Sequence, residues 1–217
     1  MESFKTMDNN VNKSENTKET KNDNTLNTVL RWVFYGLIIV ILLFLDQWTK
    51  MLAVNNLMNK KTFVILDGIF ELTYVENRGA AFGMLAGGVD FFVIITCILV
   101  PAMIYVIHKI DIIIKTFGTD VNIKAYKILQ IDFVFLIAGA IGNFIDRIVN
   151  EYVVDFFYFK LIDFPVFNVA DIYVTLSTIV LLFVMFFTFK ERELDYIICS
   201  KKKWDKISEK SYDDEGK

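Results

Sequence analysis

Apolar residues in this chain gather into four long blocks, at residues 30–54, 91–107, 128–148 and 172–189, rather than recurring at helix or strand intervals. A helix needs about 20 predominantly apolar residues, about 17 at the low end, to cross the hydrocarbon core of a bilayer. The pattern therefore predicts four transmembrane helices over about 30–54, 89–107, 128–148 and 169–189, together a membrane domain at 30–189. The second block carries no charge and has Pro101 inside it. The first and third reach spanning length only by taking in polar residues at one end. No A-x-A-like site follows the first block, so it reads as a retained anchor rather than a cleaved leader.

The flanks and connections differ in kind. Residues 1–29 are rich in Asn, Lys, Glu, Ser and Thr, bury too little apolar surface to fold alone, and read as a disordered tail. Residues 190–217 read as a charged tail. Between the first two blocks, residues 62–75 (TFVILDGIFELTYV) place Asp67-Gly68 between runs of Val, Ile, Phe and Tyr, a hairpin signal. A small β-sheet at about 60–85, lying on the membrane surface, is expected there. The connection at 149–167 alternates aromatic and acidic residues and contains Pro165. The expected fold class is thus an all-α membrane protein of four transmembrane helices with a small extracytoplasmic sheet.

Lys and Arg orient the spans. Five lie in the N-terminal segment to Arg31, four in the 108–127 loop and eight from Lys190 onward, seventeen of the chain's 23. Both termini and the middle loop should therefore be cytoplasmic, and the other two connections extracytoplasmic.

Composition narrows the class. With 54% hydrophobic residues, the chain exceeds the usual apolar share of a soluble domain. A net charge of −3 offers no electrostatic footprint for nucleic acid, and two Pro with ten Gly exclude a linker-rich or fibrous chain. Cys97 stands in an apolar block and Cys199 in the charged tail, so they suggest neither a disulfide nor a metal site. The one histidine, His108, reads as a polar flank.

Ionisable residues within or beside the spans carry more information, because charge in lipid is costly. Asp46 and Lys50 share a face of the first helix. Asn143, Asp146 and Arg147 share one at the outer end of the third. Asp155 follows within an aromatic run, and Asn168 and Asp171 open the fourth helix. Each has a plain structural reading: an interfacial ion pair, a polar helix end, and an N-cap with an acid at N3. Together, at one membrane depth, they also form what hydrolysis of a peptide requires. Two neighbouring carboxylates do not both ionise readily, so one can activate water while the other donates a proton to the scissile carbonyl. On the residues alone, Asp146 and Asp155 are both candidates for the catalytic acid.

Other chemistries lack their residues. There is no H-E-x-x-H, no G-x-S-x-G and no Ser beside an outer Lys; Ser177 reads as a helix-packing residue. A transporter or proton channel would want acids or broken helices near the midplane, and spans two and four carry no acid in their central stretches. A membrane scaffold without chemistry would tolerate Asn at 155 and 171.

Five motifs resemble those of the lipoprotein signal peptidases (signal peptidase II). They are Asp46-Gln47-Trp48-Thr49-Lys50, Asn77-Arg78-Gly79-Ala80-Ala81-Phe82-Gly83, Gly139 to Arg147 (GAIGNFIDR), Val153-Val154-Asp155-Phe156 and Phe167-Asn168-Val169-Ala170-Asp171. They fall in family order over about 30–189; the two tails and the long 108–127 loop have no counterpart in the family pattern, and the segment from Asp155 to Asp171 is a little short. The resemblance implies an aspartyl endopeptidase of the bacterial inner membrane, with Asp155 and Asp171 as catalytic dyad. Asp46, Lys50, Asn77, Gly139, Asn143, Arg147, Asn168 and Ala170 would support the site or hold substrate, and Asp146 would pair near Arg147. The implied substrates are prolipoproteins cut before a cysteine carrying diacylglycerol, with membrane lipid as surroundings, globomycin-type inhibitors, and no metal or cofactor.

Overall fold

A computed structural model describes the backbone of residues 2–79 and 89–204 and the side chains of 25–79 and 90–204. In chain order the elements are α1 (Glu2–Leu57), β1 (Phe63–Leu66), β2 (Phe70–Asn77), α2 (Val89–Phe117), α3 (Ile123–Asn150), β3 (Val153–Phe159), α4 (Val169–Phe187) and α5 (Glu191–Ile198), with short 3-10 turns at Gly118–Asp120, Lys160–Ile162 and Lys201–Lys203. Four stretches are long and apolar enough to cross a membrane: Thr25–Leu57, Asp90–Asp120, Ile123–Asn150 and Val169–Phe187. The chain is a mostly helical protein with four such helices and one small antiparallel sheet.

Contacts divide the chain into Met1–Ile38 and Ile39–Lys217. In the first unit, Tyr35 packs edge-on against Trp32. Residues 1–29, expected as a disordered tail, are instead helical from Glu2 onward. They contain neither Gly nor Pro to interrupt a helix. Their side chains up to residue 24 lie outside the described residues.

In the second unit α3 is the central helix: 44% of its apolar stretch is buried, against 17% for α4 and 6% for α2. Glycines bring α4 close. A Cβ on Gly139 would stand 2.7 Å from both the Ala170 carbonyl oxygen and Val174 Cγ2. α3 starts on an Asn122 cap, whose side chain accepts from the Ala125 N–H, and ends at Glu151 in the left-handed region with φ 63°.

The sheet has the order β1-β2-β3, both pairs antiparallel. Asp67-Gly68 turns the β1–β2 hairpin as expected, with Gly68 at φ 70°. The rest of the expected sheet range, toward 85, runs into residues 80–88, outside the described residues. Strand β3 comes from the second outer connection, where no strand was expected. Its register sets Val153 opposite Asn77 and Asp155 opposite Val75. Val154 and Phe156 pack on Ala53 and Leu57 at the end of α1, anchoring the sheet.

Two further differences lie at the other end of the unit. The expected 108–127 loop is largely helix, because α2 continues to Phe117 and α3 begins at Ile123. Ile107, Ile110 and Ile113 recur every three residues and are buried, giving that stretch an inward face. The expected charged tail also folds in part. α5 and Trp204 join Val121, Tyr126 and Val184 in an apolar cluster. The Glu193 carboxylate accepts the Asn122 and Lys190 N–H groups at 2.5 and 3.2 Å, and the Tyr126 hydroxyl donates to the Glu193 carbonyl oxygen at 2.9 Å.

Candidate active site

Five elements converge on one polar cluster: α1, β2, α3, β3 and the first turn of α4. That turn is built by a capping box. The Asn168 side chain accepts the Asp171 N–H at 3.0 Å, and Asp171 Oδ2 accepts the Asn168 N–H at 3.1 Å. An N-cap and an acid at N3 are what a helix start favours, so the sequence builds this turn locally and the fold then uses its side chains.

Asn168 is fully buried and faces two ways. Its Nδ2 donates to Asp155 Oδ1 at 2.7 Å and to Asn143 Oδ1 at 3.1 Å. Asn143 Nδ2 in turn donates to Asp171 Oδ1 at 2.8 Å. The carboxylates of β3 and α4 are thus held by one pair of amides. Asn77 at the end of β2 donates to Asp155 Oδ2 at 2.9 Å and accepts the Gly79 N–H at 3.0 Å. Asp155 is 1% exposed. Burial first, and the neighbouring Asp171 carboxylate second, push its carboxyl up to about 7, against the pull of the Asn77 and Asn168 donors and Lys50.

Behind the amides lies an ionic layer. Lys50 Nζ stands 2.9 Å from Asp46 Oδ2, 3.1 Å from Asp146 Oδ2 and 3.0 Å from Asn143 Oδ1, and all four residues belong to α1 and α3. Each free position on the two acids is taken. Asp46 Oδ1 accepts the Ala170 N–H at 3.0 Å, Asp146 Oδ2 accepts the Val154 N–H at 3.1 Å, and Gln47 Nε2 donates to Asp46, Asp146 and the Gly142 carbonyl at 3.0–3.2 Å. Each helix or strand that carries a carboxylate of the pair is therefore fastened by an acid: α4 through Ala170, β3 through Val154. Gly142 is required here, since a Cβ would come within 2.6 Å of Asp46 Oδ2.

The expected residues are thus placed as follows. Asp155, Asp171, Asn77 and Arg147 line one cavity of about 420 Å³ together with Gly79, Phe164, Pro165, Phe167, Ile172 and Leu176. Asn143 and Asn168 connect the acids; Asp46, Lys50 and Ala170 lie in the layer behind; Gly139 sets the α3–α4 distance. Arg147 holds its guanidinium 4.7 Å over the Phe92 ring and donates to the Asn143 carbonyl at 3.3 Å. Asp146 differs from expectation. Its partner is Lys50, not Arg147, because its side chain turns toward α1 and away from the cavity. Ala80 to Gly83 of the second motif lie outside the described residues. Gln47 was passed over in the sequence, where a polar residue between Asp46 and Trp48 has no periodicity to mark it.

The site pairs two carboxylates from separate segments at the end of a membrane-crossing helix bundle, the class of arrangement found in aspartic proteases. A family model described as Signal peptidase (SPase) II matches residues 38–187. A lipoprotein signal peptidase of Clostridioides difficile (strain 630) is 38% identical over 161 residues, covering 74% of this chain and all of that one. One from Caldanaerobacter subterraneus subsp. tengcongensis is 41% identical over 151 residues, 69% of this chain and 94% of that one. A solved bacterial membrane enzyme, determined by the in meso method at 1.9 Å resolution, superposes with a TM-score of 0.57 at 32% identity, covering 72% of this chain and 94% of that one. The chain belongs to the signal peptidase II family and is a bacterial membrane aspartic protease.

Proposed function

We propose that this protein removes signal peptides from prolipoproteins, cutting before a cysteine that already carries diacylglycerol, with Asp155 and Asp171 as the catalytic pair. The observation that carries the reading is the shared cavity: both carboxylates line it, Asn168 bridges them through its backbone N–H and its side chain, and one of the two is raised to about 7. Asp146, the other candidate acid, is engaged by Lys50, Gln47 and the Val154 N–H and lines no part of that cavity.

The reaction needs no covalent enzyme intermediate. Asp155 carries the pair's proton. Asp171 as carboxylate takes a proton from water while the water oxygen attacks the scissile carbonyl carbon, and Asp155 donates to the carbonyl oxygen. The resulting tetrahedral diol collapses: the C–N bond breaks, a diol oxygen returns its proton to one carboxylate, and the leaving amine takes a proton from the other. In this reading Arg147 and Asn77, both on the cavity wall, hold the substrate backbone. The apolar wall at Phe164, Phe167 and Leu176 suits the residues around the cut.

Orientation follows the Lys and Arg distribution, with both termini cytoplasmic and the site at the extracytoplasmic face of the inner membrane. On β1, Phe63, Val64, Ile65 and Leu66 are all exposed, which suits a sheet resting on lipid. There the diacylglyceryl chains stay in the outer leaflet while the scissile bond meets water. The test is purified protein in detergent with one prolipoprotein in diacylglyceryl-modified and unmodified forms, read by mass spectrometry. Cleavage of the modified form alone, before the cysteine and blocked by globomycin, is expected. Cleavage elsewhere, or none, contradicts the reading.

A further inference from the structure

Gln47 is half-buried on α1 and reaches across to α3. Its Nε2 stands 3.1 Å from Asp46 Oδ2, 3.0 Å from Asp146 Oδ1 and 3.2 Å from the Gly142 carbonyl oxygen. All three neighbours accept hydrogen bonds, so the amide nitrogen faces them and its oxygen cannot. The two acids that Gln47 joins lead to the two sides of the proposed catalytic pair. Asp46 Oδ1 accepts the Ala170 N–H, one residue before Asp171, and Asp146 Oδ2 accepts the Val154 N–H, one residue before Asp155. Lys50 also bridges the acids, through Oδ2 of each. An ammonium is a compact charge on a flexible stem, and a carboxylate can turn beneath it. The planar amide of Gln47 meets the other oxygen of Asp146, so that carboxylate is held at both oxygens and keeps Oδ2 on the Val154 N–H.

We infer that Gln47 is a positioning residue for the cleavage, setting the separation of Asp155 from Asp171 through the acids that hold their neighbours in the chain. The inference rests on the peptidase reading above. Lys50 supplies the charge that lets two acids be buried together, and Gln47 supplies their orientation. Losing Gln47 leaves both acids with their cation, so it disturbs geometry more than stability. A looser pair moves Asp155 away from the Asp171 carboxylate on α4 and admits water to it. Both changes remove what raises the Asp155 carboxyl, while Lys50 on α1 and the Arg147 guanidinium on α3 continue to favour its charged form.

The experiment measures cleavage of a diacylglyceryl-modified prolipoprotein by Gln47→Leu, Gln47→Asn and Trp48→Leu, each with its Tm. Leucine fills similar space without a donor. Asparagine keeps an amide but draws it back by one methylene, out of reach of Asp146, and serves if the leucine chain does not fold. Both Gln47 variants are expected to lose about 10- to 100-fold in kcat with KM unchanged, the effect of a slight misplacement of reacting groups. The basic limb of their pH profiles should move to lower pH. Trp48→Leu, at an exposed position on the same turn, should do neither. Amide hydrogen exchange at Val154 and Ala170 should quicken in the Gln47 variants, a readout that needs no substrate. Wild-type kcat in a folded Gln47 variant, a loss confined to KM or shared by Trp48→Leu, an unmoved limb, or unchanged exchange at both amides would overturn the role. Failure of the wild-type chain to cut the prolipoprotein is a different result: it removes the peptidase reading and this inference with it.

Discussion

Asp46 Oδ1 accepts the backbone N–H of Ala170 at 3.0 Å, so a carboxylate on α1 fixes the first turn of α4 one residue before Asp171. An orphan donor of the helix start is satisfied from another helix, and the turn that carries Asp171, half of the proposed catalytic pair, is held by a group that does not line the cavity. Lys50 is the counter-charge that makes a buried acid tolerable in that position.

Lys50→Met should therefore cost stability before it costs chemistry. It leaves Asp46 and Asp146 buried without their cation, which is worth about 3–5 kcal/mol. Thermal unfolding in detergent should show a large drop in Tm, and adding Asp46→Asn to the same chain should recover part of it. No change in Tm for Lys50→Met would contradict the role given to the ionic layer.

Gly142→Ala tests the close approach directly. The added Cβ would lie 2.6 Å from Asp46 Oδ2, so Asp46 must shift and the Ala170 N–H loses its acceptor. A loss of about 1–3 kcal/mol is expected from overpacking, with a fall in kcat that Gly36→Ala, where nothing stands within 4 Å, does not share.

Much of this was legible in the residues. Four apolar blocks gave the spans, Asp67-Gly68 the hairpin, and the spacing of Asn168 and Asp171 the capped start of α4. What stayed hidden depends on contacts distant in sequence. β3 has no turn residues of its own to announce it; it becomes a strand because Val154 and Phe156 find Ala53 and Leu57 and its backbone pairs with β2. Asp146 could not be told from Asp155 locally, since only the fold aims one at Lys50 and the other at the cavity. α5 was obscured by its charges, although Tyr196 and Trp204 bury most of their surface.

Asn168→Ala should separate positioning from folding. It removes the amide that joins Asp155 to the Asn143–Asp171 side and the side-chain cap of α4. A misplacement of this order costs about 100-fold in kcat, while the lost cap costs about 1 kcal/mol. Near-normal kcat in the folded variant would show that the bridge is dispensable.

The pH profile follows from Asp155. Its carboxyl is raised from the ordinary 3.8 to about 7, chiefly by burial, and the mechanism needs it protonated. Activity should therefore fall as pH rises through about 7, a limb belonging to the pair rather than to one residue. The same sign holds for stability: the contribution is complete below about 4 and lost as pH rises past 7. Asn77→Ala removes a donor that holds the value down, so its basic limb should move to higher pH. A limb that moves lower, or does not move, contradicts the assignment.

Single-turnover cleavage of a diacylglyceryl-modified prolipoprotein by Asp155→Asn, Asp171→Asn and the double variant, each shown to be folded by its Tm, addresses the pair itself. Each single substitution should slow cleavage by about ten-thousand-fold, and the double variant should be no slower than either, because two groups that act as one unit are lost together. Cleavage near the wild-type rate by either folded single variant would contradict the account.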